Sequence, residues 1–151
     1  LRFRPAIAVN DEQLSNTANS QNYSLKEKSV LLVEDNEVNV MFTERLLKKL
    51  EMQVKIARDG EEAVAISEAH DFDLILMDLQ MPKMNGVDAA NIILGNRPES
   101  RIVALTANSD NKLKQQLRQT GFMDVLIKPF KPAELGHRIL QWIQTNNKQS
   151  S

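Results

Sequence analysis

The chain contains no cysteine among its 151 residues. Disulfides and thiolate metal sites are therefore excluded, and no oxidising compartment is needed. It also lacks any apolar run approaching the roughly 20 residues that span a bilayer, and no secretory signal pattern opens it. Charge of one sign is missing as well: nineteen Lys and Arg face twenty Asp and Glu, for a formal charge of -1. That balance supplies no general attraction to nucleic acid or to a membrane surface. Neither is expected as a direct partner, and the expected location is the cytoplasm. The 42% hydrophobic content is still enough for a core, and the length suits one domain.

Composition divides the chain. The segment "LRFRPAIAV" (Leu1 to Val9) breaks at Pro5 and reads equally as the last strand of an upstream domain or as a tail. Asn10 to Lys28 is dominated by Asn, Ser, Gln and charge, and reads as a linker. With Leu1 in place of a starting Met, a piece of a longer protein is expected. These features assign 1–28 to an upstream remnant and linker, 29–145 to one domain, and 146–151 to a polar tail.

Within the domain the periodicity switches five times. Short runs at 29–33, 53–57, 74–77, 101–105 and 124–127 read as strands, most of them too continuously apolar for a half-exposed antiparallel sheet. Helical patterns follow at about 38–50, 61–69, 87–94, 110–120 and 133–144, the last opening with Pro132. In the first helix Val38, Met41, Phe42, Leu46 and Leu50 form one stripe, taken here as its core face; Val40 and Leu47 fall off it. The fourth has only Leu113 and Leu117 as large apolar anchors and is expected to be among the least stable. Five β–α units in tandem imply an α/β fold, a parallel sheet with helices on both faces.

In such sheets ligands bind outside the carboxyl ends of the strands. Glu34 and Asp35 follow the first strand, Asp78 the third, Thr106 the fourth, and Lys128 with Pro129 the fifth. Three carboxylates repel one another unless a cation sits among them, and an all-oxygen site suits a hard ion such as Mg2+. A carboxylate can attack phosphorus, and a metal with a lysine would neutralise the phosphoryl oxygens. Asp78 is the candidate nucleophile, Lys128 the clamp, and Thr106 a hydroxyl within a phosphoryl group's reach. Taken singly, each has a plainer reading: Asp35 or Asn36 as a helix cap, Thr106 at a turn, Lys128 as a solvated loop lysine. Their placement on one edge of one sheet favours the joint reading. Gly86 reads as a backbone requirement of its loop. His70 and His137 have no evident partners, and Trp142, Met52, Met77 and Met123 read as packing.

The phrases "VEDNEVN" (Val33 to Asn39), "LMDLQMPKMNG" (Leu76 to Gly86), "ALTA" (Ala104 to Ala107) and "IKPF" (Ile127 to Phe130), in this order and spacing, make Val30 to Gln144 resemble a response-regulator receiver domain. The resemblance implies a flavodoxin-like, doubly wound (βα)5 fold with strand order 2-1-3-4-5. It implies that Asp78 accepts phosphate from a phosphohistidine, and that Glu34, Asp35, Asp78 and the backbone carbonyl of Gln80 hold Mg2+. It also implies phosphoryl contacts from Thr106 and Lys128, a cis Lys128–Pro129 bond, and tuning of hydrolysis by Gln80 and Asn108. One departure is Val125, where many members carry a switching aromatic.

"EDNEVN" and "LQMPKMNG" particularly resemble receivers at the C-terminus of hybrid histidine kinases, whose parent chain is anchored in the inner membrane. Expected partners are then a kinase dimerisation domain or a histidine phosphotransfer domain, and the first helix lies beside their docking site. A small-molecule phosphatase of the haloacid dehalogenase kind would place an aspartate where Gln80 stands. A phosphorylation-independent interaction module would not need the retained acids, Thr106 and Lys128.

Overall fold

A computed structural model describes residues 25–81 and 83–144. The expected upstream strand, most of the linker, and the polar tail lie outside the described residues. Strands β1 (Ser29–Val33), β2 (Gln53–Ala57), β3 (Leu74–Asp78), β4 (Ile102–Thr106) and β5 (Asp124–Ile127) alternate with helices α1 (Glu37–Lys49), α2 (Gly60–Ala69), α3 (Gly86–Asn96), α4 (Asn111–Thr120) and α5 (Pro132–Gln144). All strand pairs are parallel, in the order β2-β1-β3-β4-β5, as the resemblance implied. β3 and β4 each run one residue past their expected ends, so Asp78 and Thr106 are the last residues of their strands.

Successive strand side chains point to opposite faces, and each face has its own core. On one, Leu31, Val33, Ile75, Met77 and Ile102 pack against Ala63 of α2, Ala89 and Ile93 of α3, and Leu117 of α4. On the other, Val30, Leu32, Leu74, Leu76 and Val103 meet Leu47 of α1 and Leu135, Ile139 and Trp142 of α5. Central strands buried on both faces need apolar residues at every position, hence the unbroken run of β3. Edge strand β2 alternates instead, with Gln53 and Lys55 exposed. Leu25 is also buried in the second core, so packing begins before β1. In α4 only Leu117 is fully buried, in keeping with its sparse anchoring.

Helix starts are set by side-chain caps. Asn36, Asp59, Asn85 and Asp110 accept backbone N–H donations from Asn39, Glu62, Asp88 and Lys112, satisfying donors a first turn leaves unpaired. Glu62 reciprocates by accepting from the backbone N–H of Arg58 at 2.6 Å. Asn36 thus does the capping, and Asp35 is left for other chemistry.

The face of α1 corrects the sequence reading. Val40, Thr43 and Leu47 are buried, whereas Val38, Met41 and Phe42 are 73%, 54% and 46% exposed. Two stripes overlap on this helix and share Leu46 and Leu50, which pack partly against the core. The inward one includes polar Thr43 and so carries fewer large apolar residues, which hid it from periodicity.

Asp124 ties α5 to the head of β5. Its carboxylate accepts from Trp142 Nε1 at 2.9 Å, Arg138 Nη2 at 2.8 Å and the Val125 N–H at 2.7 Å, while Arg138 lies over the Trp142 ring at 5.2 Å. Trp142, Met52 and Met77 are buried, and both histidines are exposed.

Two stability predictions follow from these contacts. Burial of Asp124 opposes its charge, but the donations from Trp142, Val125 and Arg138 outweigh it and hold the carboxyl below the ordinary range. A depressed folded pKa contributes stability that is present above the unfolded value and lost as pH falls through the folded one. Asp124→Asn should therefore lower the urea midpoint at pH 7, and the deficit should close as pH falls below about 4. Gly95 sits in α3, where an added Cβ would meet nothing within 4 Å. Gly95→Ala should raise stability by about 0.5–1 kcal/mol, read as a higher melting temperature with unchanged circular dichroism.

Candidate functional site

The C-terminal edge of the sheet gathers the polar residues singled out in the sequence. In the parallel register Val33 lies beside Met77 and Asp78 beside Leu105, so Glu34, one residue past β1, comes next to Asp78 at the end of β3. Carboxylate oxygens of Glu34, Asp35 and Asp78 lie within 4.8 Å of one another. Glu34 and Asp78 are buried and Asp35 is exposed. From the far side, Lys128 follows β5 and reaches over the end of β4. Its Nζ stands 3.1 Å from Glu34 Oε1 and 3.6 Å from Asp78 Oδ2. The Lys128–Pro129 peptide bond is cis.

Thr106, buried at the end of β4, accepts the Asn108 N–H on its Oγ1 at 3.1 Å, and its carbonyl accepts from the Lys128 N–H at 2.8 Å. The Gln80 N–H donates to Asp78 Oδ1 at 3.2 Å, which folds the chain sharply after β3. Gly86 makes that fold possible: a Cβ there would lie 2.4 Å from the Asp78 carbonyl oxygen, so any side chain would push α3 off the strand end. Gln80 and Asn108 are exposed and line one groove with Thr106. The expected residues therefore converge.

Two features went unassigned in the sequence. Asn39, one turn into α1, points its Nδ2 at Glu34 Oε2 at 3.5 Å, beside the Asn36 N–H at 3.4 Å. Its sequence signals are its position three residues after the capping Asn36 and its place at the end of the "VEDNEVN" phrase. Phe130, two residues past Lys128, sets its ring 6.2 Å from that of Phe42 on α1, so the loop bearing the lysine also touches the exposed apolar face. Val125 is buried, an aliphatic core residue where many receivers carry an aromatic.

Electrostatics explain the arrangement. Burial, together with the hydrogen bond and the charge of neighbouring Glu34, pushes the Asp78 carboxyl up to about 6, against the opposing influence of Lys128 and the Gln80 N–H. Three carboxylates form an all-oxygen donor set that suits a hard cation, and their closeness fits one shared ion. Lys128 already supplies one positive charge between two of them.

Comparison with known proteins agrees. The model of the response regulator receiver domain family matches residues 30–140. The receiver domain of a sensor histidine kinase from Pseudomonas aeruginosa, solved with a magnesium ion coordinated in its active-site cleft, is 38% identical with a TM-score of 0.73, covering 79% of this chain and 99% of that one. The aerobic respiration control sensor protein ArcB of Escherichia coli is 33% identical over 150 residues, 97% of this chain and 19% of that protein. A complex of the Saccharomyces cerevisiae histidine phosphotransfer protein Ypd1 with the receiver domain of Ssk1 matches at 32% identity and a TM-score of 0.73, over 78% of this chain and 90% of that one. The chain spans 22% or less of the first curated relatives it matches.

The raised carboxyl of Asp78 carries a sign. Its stabilising contribution is present below the unfolded value of 3.8 and is lost as pH rises through about 6. Without divalent cations, Asp78→Asn should therefore be more stable than the parent above pH 6, with the gap closing below about pH 4. Urea melts in a chelator, run across this range, check it; a variant less stable at pH 8 than at pH 4, relative to the parent, would contradict the placement of Asp78 among the acids.

Proposed function

Because the chain belongs to the response regulator receiver domain family, we propose that Asp78 accepts a phosphoryl group from a phosphohistidine. The observation that carries the reading is Lys128 Nζ held between buried Glu34 and Asp78, a cation already placed where phosphoryl charge would collect. Glu34, Asp35, Asp78 and the Gln80 carbonyl would hold Mg2+. When bound, that ion neutralises phosphoryl oxygens and leaves a carboxylate oxygen of Asp78 free to react.

The residues divide the work. One Asp78 oxygen attacks phosphorus as the P–N bond to histidine breaks, and the electron pair leaves with the imidazole. The Gln80 N–H on Oδ1 fixes the carboxylate plane. Lys128, at 3.6 Å from Oδ2, meets the incoming phosphoryl oxygens without reorganising. Thr106 Oγ1 already accepts from the Asn108 N–H, so its own O–H is free to donate to the phosphoryl group. Gln80 and Asn108 flank the groove beside Thr106, where they would set the access of hydrolytic water. Gln80 carries no acid or base for rapid turnover, so retention of the phosphoryl group is favoured over phosphatase chemistry. The retained acids and Lys128 favour phosphorylation over a purely interacting module.

The exposed Val38, Met41 and Phe42 would receive a histidine-bearing helical bundle, either a kinase dimerisation domain or a histidine phosphotransfer domain. The longer sensor proteins among the relatives support a parent that is a hybrid histidine kinase, with this receiver as its C-terminal module on the cytoplasmic side. No helix of the described residues is long and apolar enough to cross a membrane.

Intact-protein mass after incubation with Mg2+ and acetyl phosphate tests this. One phosphoryl group should be gained, none in Asp78→Asn or in a chelator, and Lys128→Ala should slow the gain on the order of 10²-fold. Equal labelling of Asp78→Asn would refute the assignment.

A further inference from the structure

The exposed stripe of α1 does not end with its apolar residues. At about 100° per residue, Val38, Phe42, Arg45 and Lys49 fall in one line, with Met41 and Lys48 along its border. Both acids of α1 on this side are engaged, Glu44 with Lys48 at 3.1 Å and Glu37 with Arg58. Arg45 and Lys49 are exposed and make no ion pair among the described residues. A groove lined by Met41, Glu44, Arg45, Lys48 and Lys49 joins the apolar and basic parts. The face is therefore apolar beside the reactive edge and positive beyond it, in a chain whose overall charge is -1.

We propose that Arg45 and Lys49 select the partner: they fit a helical bundle whose histidine-bearing helix presents carboxylates beyond the apolar contact beside its histidine. This rests on the docking reading above and adds a charge requirement to it. At 1.5 Å per residue, Arg45 and Lys49 lie about 10 and 16 Å along α1 from Val38, which places the matching acids one to three turns from the partner's apolar patch. Apolar anchors at the centre set residence time, whereas rim charges steer encounter and reject wrong partners. A bundle with lysines at those positions would meet like charge, so discrimination comes from repulsion as much as attraction.

The test uses one histidine phosphotransfer domain in two forms, with glutamates or with lysines at exposed helix positions one to three turns from its histidine. Binding to this chain and to its Arg45→Glu, Lys49→Glu double variant is measured by titration calorimetry at low and high salt. The parent should bind the glutamate form about 10-fold tighter than the lysine form at low salt, the double variant should reverse that preference, and salt should shrink both differences. Equal affinity for the two forms, binding of neither, or a preference that survives the double variant would overturn the proposal. Labelling by acetyl phosphate, run alongside, should be equal in both chains because neither residue touches the acidic site. A charge preference that persists without such labelling would count against phosphorylation of Asp78 and leave the selection by Arg45 and Lys49 standing.

Discussion

Three carboxylates held within 4.8 Å of one another are the constraint on which the rest of the site depends. Like charges this close, two of them buried, destabilise one another unless positive charge is brought in. The fold answers with Lys128, whose side chain passes over the ends of β4 and β3 to reach Glu34. Only a parallel sheet in this order sets the ends of β1 and β3 side by side and leaves β5 far enough away for a long side chain to be the link. Thr106 lies under that reach, so on the proposed function a phosphoryl group drawn to the lysine would also meet a hydroxyl.

The loop after β3 is held by backbone as much as by charge. Gly86 lets α3 close onto the Asp78 carbonyl, and Gly60 lets the Met84 carbonyl press on the start of α2, where a Cβ would stand 2.5 Å from it. Lys83 in the same loop has a positive φ and pairs loosely with Asp59 at 3.8 Å. The segment that carries Gln80 is thus fastened at two helix starts. The loop after β5 has two duties: it aims Lys128 into the acids and sets Phe130 against Phe42 on the outer face of α1. The acids at the strand ends and the exposed apolar face of α1 are thus joined through that one loop.

Much of this was legible beforehand because it is local. Unbroken apolar runs such as Leu74 to Met77 mark strands buried on both faces, and Asp35 or Asn36 stood out as a cap where the first helix starts. The candidate residues were legible because each ends or directly follows a strand, and in a doubly wound sheet every such position opens on the same edge. The inward face of α1 was misread because Thr43 lies in the buried stripe while Val38, Met41 and Phe42 decorate the outside. Periodicity registers how many apolar residues share a stripe, not which stripe meets the sheet.

The sequence by itself determined the elements, their alternation and which polar groups stand at the strand ends, since these depend on near neighbours and on motif order. Only the tertiary structure decided that Asn39 turns toward Glu34, that Asp124 receives Trp142 and Arg138, and that Lys128 stands between two acids 50 and 94 residues away in the chain. Those contacts arise from packing two helices against one sheet and from strand order. Their energies depend on burial and distance, which no stretch of sequence encodes on its own.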